Sequence, residues 1–100
     1  MALVSLKAMR YYVTALRHGN IARAAAELNV SASAVAAAID QIEAQFQLTL
    51  VTRHRSRGIN PTASGKTIQR KFIHLLEEYD SVMTEGTEEF FGEKLDKAKK

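Results

Sequence analysis

Three arginines lie close together in the stretch Arg53-His54-Arg55-Ser56-Arg57, which ends directly before Gly58. Guanidinium groups at this density could bind phosphates, and long cationic side chains on a thin projecting loop can also enter a narrow minor groove. Considered alone, the stretch is more simply a solvent-exposed charged loop. The elements on either side must therefore decide whether this loop recognises a polyanion.

Residues that could support catalysis or bind a metal do not cluster in the sequence. His18, His54 and His74 fall at a helix end, in a loop and within a long helix, with no evident shared face. The absence of Cys excludes disulfides, thiolate metal sites and a Cys nucleophile. No serine has a base or an oxyanion arrangement suggested by its neighbours. We therefore expect no enzymatic activity, no cofactor, and no catalytic or metal site.

The stretch from Asn20 to Phe46 predicts two short helices joined by a tight turn. Asn20 follows the break at Gly19 and can cap the first helix, whose apolar face consists of Ile21, Ala24, Ala25 and Leu28. Ser31 can cap the second, whose apolar residues recur at spacings of four, three and four: Val35, Ile39, Ile42 and Phe46. Helices with so short a connection form a helix-turn-helix, and the second, residues 31–46, can lie in the DNA major groove.

A further helix is predicted before the helix-turn-helix, from about Ser5 to His18, with Gly19 as its end. Its apolar residues recur at spacings of three and four: Leu6, Met9, Val13 and Leu16. We interpret Tyr11 and Tyr12 beside this stripe as packing residues rather than as stacking platforms for bases. The helix is therefore expected to form one wall of the core.

A hairpin is predicted after the helix-turn-helix. Alternation of side-chain type indicates a short strand over Leu48, Leu50 and Thr52, and a second strand lies at Ile59 and Asn60. The arginines then form a basic tip between the two strands. Because the hairpin directly follows a helix-turn-helix, we favour a DNA-binding wing over a charged loop without a ligand.

A long helix should follow Pro61, with Thr62 as its cap. Its apolar residues recur at spacings of four and three, as in a coiled-coil seam: Ile68, Phe72, Leu75, Leu76, Tyr79, Val82 and Met83. A core of fewer than about 70 residues cannot cover so long a seam, so we expect these residues to form a homodimer interface. Gly86 is a place where the helix could end or loosen, and residues 92–100 are expected to be a charged tail, disordered or only partly helical.

Charge is distributed unevenly along the chain. Ten Lys or Arg face three acidic residues up to Lys71, which gives +7, whereas the remainder carries −4. The basic part is the globular part, and this suggests a polyanionic partner. Within the first helix of the helix-turn-helix, Arg23 and Glu27 have the spacing of an ion pair.

No apolar run is long enough for a membrane span, and the N-terminus lacks signal-peptide features, so we expect a cytoplasmic protein without membrane contact.

Taken together, residues from Leu6 to Tyr79 resemble the N-terminal winged helix-turn-helix domain of LysR-type transcriptional regulators. The resemblance is carried by five groups of residues in order: Arg23-Ala24-Ala25, Leu28-Asn29-Val30-Ser31, Ala34-Val35 with Ile39 and Ile42-Glu43, Leu50 with Arg53, and Pro61-Thr62 with Gly65. It implies a mainly α fold, with three helices and a two-stranded wing in residues 1–61 and a linker and dimerisation helix in residues 62–91.

The resemblance also implies a function and its partners. It implies a dimeric DNA-binding domain of a transcription regulator, with double-stranded promoter DNA as its partner. In such proteins a larger C-terminal domain binds the effector, and these 100 residues do not include it, so no effector site is expected here. Whether the chain is a natural short protein or a fragment stays open. The expected DNA contacts are Asn20, Ser31, Ala32, Ser33, Ala36, Ala37, Arg53, Arg55 and Arg57.

The second helix of the helix-turn-helix departs from the family pattern. Ala32 stands where Gln is usual, Ala36 where Ser is usual, and Ala37 where a basic or polar residue is frequent. The outward face therefore offers few hydrogen bonds to bases, and Asp40 adds a charge that repels phosphate. Two explanations stay open: alanine contacts to thymine methyl groups with shape recognition by the arginines, or a domain with weakened DNA affinity.

A second function from a different class fits the same departures. The chain would then be a protein-interaction module that heterodimerises through its long helix and binds DNA weakly or not at all. The absence of an effector domain from these 100 residues motivates this alternative, because such a chain could act only by occupying DNA or by heterodimerising. A dimer containing its alanine-faced helix would bind DNA poorly.

Overall fold

Four helices and a two-stranded hairpin make up the computed structural model. It describes the backbone of residues 4–99 and the side chains of residues 4–85. The elements in chain order are α1 (Leu6–His18), α2 (Ile21–Leu28), α3 (Ala32–Phe46), β1 (Val51–His54), β2 (Gly58–Pro61) and α4 (Ala63–Lys99). The expected fold class, a mainly α winged helix-turn-helix followed by a long helix, is confirmed.

Polar side chains cap the first three helices as the sequence predicts. Ser5 Oγ, Asn20 Oδ1 and Ser31 Oγ accept hydrogen bonds from the backbone N–H three residues later, at 3.0, 2.9 and 3.1 Å. Each of these bonds satisfies a donor that the first turn leaves free. The left-handed residues that end these helices are Gly19, Asn29 and Gln47. The capping residues therefore set the lengths of the first three helices.

The core is organised around Tyr12, which is fully buried. Its ring lies edge-on to Phe72 of α4, with 5.7 Å between ring centroids, and Val35, Ile39 and Ile42 of α3 are also fully buried. The prediction that Tyr12 packs rather than stacks on bases is confirmed. The buried face of α1 is wider than the predicted apolar stripe, because this helix packs against three other helices. Met9 and Val13 of the predicted stripe lie at the edge of the core, and the buried residues are Ala8, Tyr12, Ala15 and Leu16.

The two strands pair antiparallel, from Val51 opposite Pro61 to His54 opposite Gly58. The first strand begins later than the alternation predicted, at Val51, and it includes Arg53. The reason is Glu43 of α3, whose carboxylate accepts hydrogen bonds from the backbone N–H of Leu50 (2.8 Å) and of Val51 (3.3 Å). These bonds tie the chain to α3 at the point where β1 begins.

The long helix α4 extends further than the sequence predicted. It continues past Gly86 and past residue 91 to Lys99. A glycine inside a helix costs only about 1 kcal/mol, and the last residues are rich in the good helix formers Glu, Lys, Leu and Ala. The proposed division of the chain into domains, with residues 92–100 as a separate charged tail, stays a prediction. Within the described residues, no helix is both long and apolar enough to cross a membrane.

The predicted seam of α4 divides into two parts. Phe72 and Leu76, which we expected at a dimer interface, are buried in the core of their own chain, and Ile68 is half-buried against it. They pack there because the N-terminal half of α4 crosses α1. Four residues of the predicted seam are exposed: Leu75, Tyr79, Val82 and Met83. Phe46, expected to be buried at the end of α3, is also exposed.

Candidate nucleic-acid interface

The outward face of α3 is mostly alanine. Val35, Ala38, Ile39 and Ile42 are buried, which directs the opposite side of the helix to solvent. Ala32, Ser33 and Ala37 are exposed and Ala36 is half-buried. This arrangement agrees with the predicted outward face, which offers methyl groups and one hydroxyl to a base edge.

The hydroxyls at the start of α3 are partly occupied. Ser31 Oγ caps the helix by accepting from Ala34 N, and it also lies 3.1 Å from Ser33 Oγ. Both side chains are exposed. Each hydroxyl has one donor and two acceptor positions, so either serine can still contact a phosphate or a base edge.

Asp40, which we expected to add a charge that repels phosphate, forms an ion pair. Its Oδ1 accepts a hydrogen bond of 2.7 Å from the guanidinium of Arg53 on β1, and both side chains are exposed. The sequence could not indicate this pair, because the two residues come together only through the register of the hairpin against α3. The three arginines of the wing are therefore not equivalent.

Arg55 and Arg57 lie in the turn between the strands and are exposed. Among the side chains that the structure describes, neither has an ion-pair or hydrogen-bond partner. Their charges are therefore available to a ligand. This is the placement that the sequence predicted for the tip of a wing.

The second strand of the wing is anchored beside the start of α2, next to the turn of the hairpin. Ile59 N donates a hydrogen bond of 3.0 Å to Gly19 O, and Gly58 lies so close that a side chain there would meet the same carbonyl. Asn20, the next residue, is half-buried, and its Oδ1 caps α2. Its amide NH₂ remains as a donor. Asn20 and the wing therefore lie on connected segments at one end of the domain.

Two polar residues near α3 were missed by the sequence interpretation. Gln41 is exposed four residues after Ala37, and its amide is the group that pairs with adenine in many complexes. Lys7 of α1 lines a groove of about 180 Å³ together with Ala34, Ala37 and Gln41. The spacing from Ala37 could have indicated Gln41, whereas the position of Lys7 depends on how α1 packs.

The histidines do not form a site. Among the described residues, no group of His, Asp and Glu could hold a metal ion. His18 Nε2 lies 3.0 Å from Glu27, which also pairs with Arg17. The hydrogen bond from His18 lowers the pKa of the Glu27 carboxyl below its ordinary value, and Arg17 adds to this. The predicted Arg23–Glu27 pair is therefore wrong, because Glu27 faces α1 instead.

Relatives of this chain are transcriptional regulators. It is 33% identical over 87 residues to the HTH-type transcriptional regulator GltR of Bacillus subtilis, covering 84% of this chain and 29% of GltR. It is 36% identical over 83 residues to YusT, an uncharacterized HTH-type transcriptional regulator of the same organism, covering 80% of this chain and 28% of YusT. The chain thus spans less than a third of the length of these curated relatives.

Solved structures have the same fold. A CbnR DNA-binding domain in complex with DNA superposes with a TM-score of 0.78 and 25% identity, covering 83% of this chain and 94% of that one. The BenM DNA-binding domain on catB site 1 DNA superposes with a TM-score of 0.79 over 84% of this chain and 92% of that one; at 21% identity it supports the fold alone.

The family model described as bacterial regulatory helix-turn-helix protein, lysR family, matches residues 6–66. The matched region contains α1, the helix-turn-helix, the wing and the start of α4. The chain therefore belongs to the LysR family of bacterial regulatory proteins, and these residues form a winged helix-turn-helix DNA-binding domain.

Proposed function

We propose that this domain binds double-stranded promoter DNA as a homodimer, with α3 in the major groove and the wing against the adjacent phosphates or minor groove. The observation that carries this proposal is the pair of exposed arginines at the tip of the wing, Arg55 and Arg57, which have no ion-pair partner among the described side chains. A charged side chain that no protein group neutralises is the kind that binds phosphate and releases counterions.

In this proposal the recognition helix contributes modestly to sequence preference. Ser31 and Ser33 contact phosphate or a base edge at the N-terminus of α3, where the helix dipole favours an anion. Ala32, Ala36 and Ala37 contact thymine methyl groups, and Asn20 donates to a phosphate beside the wing. Arg53 enters the interface paired to Asp40. The preference for A·T-rich DNA would then come from methyl contacts and from arginines in a narrow minor groove.

The dimer would form through the exposed part of the α4 seam. Leu75, Tyr79 and Val82 follow one another at spacings of four and three, so they lie on one side of the helix, and all three are exposed. Apolar residues in such a row are typical of a helix that pairs with a second copy. The proposal includes no cofactor and no effector site in these residues, and it places the protein in the cytoplasm.

Fluorescence anisotropy with a labelled duplex tests the proposal. The domain should bind at low salt, and the logarithm of its binding constant should fall linearly with the logarithm of the salt concentration. A duplex selected from a random pool should bind more tightly than the unselected pool. No binding at the lowest salt concentration at which the domain stays folded would refute the proposal.

A protein-interaction module is the second candidate, and the alanine face of α3 favours it. The methyl groups of Ala32, Ala36 and Ala37 cannot hydrogen-bond to base edges, so this recognition helix discriminates poorly between bases. In this case the exposed seam would pair with the linker helix of a full-length relative. Sedimentation of the chain with such a relative distinguishes the two, because a mixed dimer that loses DNA affinity supports the module.

A further inference from the structure

The ion pair between Asp40 and Arg53 connects the recognition helix to the wing. Asp40 lies in the third turn of α3, three and four residues after Ala37 and Ala36, on the same outward side. Its Oδ1 is 2.7 Å from the Arg53 guanidinium, and the two side chains are 64% and 44% exposed. The pair therefore belongs to the surface that would face DNA rather than to the core.

Both ends of this pair are held in place by buried neighbours. Asp40 directly follows Ile39, which is fully buried in the core. Arg53 is opposite Ile59 in the hairpin, and Ile59 is buried and bonded through its N–H to Gly19 O. Neither α3 nor the wing can move away without breaking these contacts, so the carboxylate stays within reach of the guanidinium.

This fixed geometry has a consequence for charge. If Arg53 turned to a phosphate, it would leave Asp40 as an uncompensated carboxylate beside a polyanion. If it stays on Asp40, the pair approaches the DNA with no net charge. In either case Asp40 offsets the phosphate attraction of Arg53, because salt-dependent affinity follows the net number of phosphates that the protein neutralises.

We propose that Asp40 is a specificity-determining residue that cancels the non-specific phosphate attraction of Arg53. Arg55 and Arg57 then make the phosphate contacts of the wing. The affinity of the domain for DNA of arbitrary sequence stays low. This inference rests on the proposed DNA-binding function. It concerns the balance between non-specific and specific binding, which that function leaves open.

Four proteins test the inference: the unsubstituted domain, Asp40→Asn, Arg53→Gln and the double variant. Affinity for a random-sequence duplex is measured from 50 to 200 mM salt. Each phosphate contact adds about 0.9 to the slope of log affinity against log salt concentration, which changes affinity by about 3-fold over this range. Asp40→Asn should steepen the salt dependence by about 0.9 and tighten binding. Arg53→Gln alone should change the slope by much less than about 0.9, because Asp40 already cancels Arg53 there. In the Asp40→Asn background it should remove about 0.9, so the double variant returns to the slope of the unsubstituted domain.

A control separates pairing from a general change in charge. Arg55 has no acidic partner among the described side chains, so Arg55→Gln should lower the slope equally with and without Asp40→Asn. Asp40→Asn is isosteric and Arg→Gln shortens a polar side chain, and all three positions are exposed. A circular-dichroism melt verifies that each variant folds.

The outcomes distinguish this inference from the proposed function. If Asp40→Asn has no effect and the double variant loses as much slope as Arg53→Gln, Arg53 contacts phosphate independently and the inference is overturned, while DNA binding stands. If the unsubstituted domain binds no DNA, the proposed function and this inference fall together.

Discussion

The hydroxyl of Tyr12 donates a hydrogen bond of 2.8 Å to the carbonyl oxygen of Gly65 and so joins α1 to the first turn of α4. Gly65 is buried at this contact, and a side chain there would meet the carbonyl oxygen of Leu50. Thr62 completes the junction, since its Oγ1 accepts from Gly65 N at 3.0 Å and donates to Thr49 O at 2.7 Å. These contacts set the direction in which α4 leaves the domain.

Tyr12→Phe should destabilise the domain by about 1–2 kcal/mol, because the substitution removes a buried hydrogen bond while keeping the ring. Urea unfolding at constant protein concentration measures the change. Tyr11→Phe is the matched control: its hydroxyl has no bonded partner among the described residues, and the change should stay within about 0.5 kcal/mol. Equal losses from the two variants would contradict the assigned role of the Tyr12 hydroxyl.

Stability should also fall at high pH through Tyr12. Burial, with a smaller effect from the charge of Glu43, raises the pKa of Tyr12 to about 12 from its ordinary value of 10.0. Between these two values the unfolded chain loses a proton that the folded chain keeps, so stability present below pH 10 is lost as the pH rises toward 12. Denaturation across this range measures the loss, and Tyr12→Phe should lack this component. A pH dependence identical in both proteins would rule out Tyr12 as its source.

Gly58→Ala should destabilise the domain more than Gly19→Ala. Both glycines have left-handed backbones, with φ of 80° and 65°, so alanine at either costs about 1 kcal/mol in strain. At Gly58 the new Cβ would lie 2.0 Å from Gly19 O, whereas at Gly19 the nearest such atom is 3.7 Å away. The steric conflict should add about 1–3 kcal/mol, measured by urea unfolding. A smaller loss at Gly58 would mean that the wing is not held against Gly19.

Most of the secondary structure could be predicted from local sequence, because capping and periodicity act within a few residues. Ser5, Asn20 and Ser31 indicated where helices begin, and the structure places their side chains in the predicted capping bonds. The buried face of α3 followed from its spacing for the same reason. The late start of β1 could not be predicted in this way, because it depends on hydrogen bonds from the backbone at Leu50 and Val51 to Glu43 of α3.

The residues of the candidate DNA interface could be predicted from the sequence, but the contacts among them could not. Arg55, Arg57 and the outward alanines lie where local spacing placed them, whereas Arg53 lies in β1 and not in the tip. The bond between Asp40 and Arg53, the position of Lys7 beside Gln41 and the burial of Phe72 and Leu76 each depend on how distant elements pack. Apolar spacing identifies a seam on α4, but it cannot show which half of the seam rests on the chain's own core.

Leu75→Glu combined with Tyr79→Glu should convert a dimer to a monomer. Both side chains are exposed in the single chain, so the monomer should fold normally, while carboxylates placed in an apolar seam oppose pairing. We expect the dimer dissociation constant to rise at least about 10-fold by sedimentation equilibrium, equivalent to about 1.4 kcal/mol. Glu77→Lys, on the other side of α4, is the control and should remain dimeric. A dimer that survives the double substitution would move the interface away from this seam.

The wing should contribute more to DNA binding than the alanine-faced recognition helix does. The most direct measurement is the salt dependence of affinity for the domain and for Arg55→Ala with Arg57→Ala. The double variant should lose about 1.8 from the slope, since each arginine accounts for about 0.9, and it should lose affinity for every sequence tested. Arg55→Lys with Arg57→Lys keeps both charges and should keep the slope. An unchanged slope in the alanine variant would show that Arg55 and Arg57 do not bind phosphate.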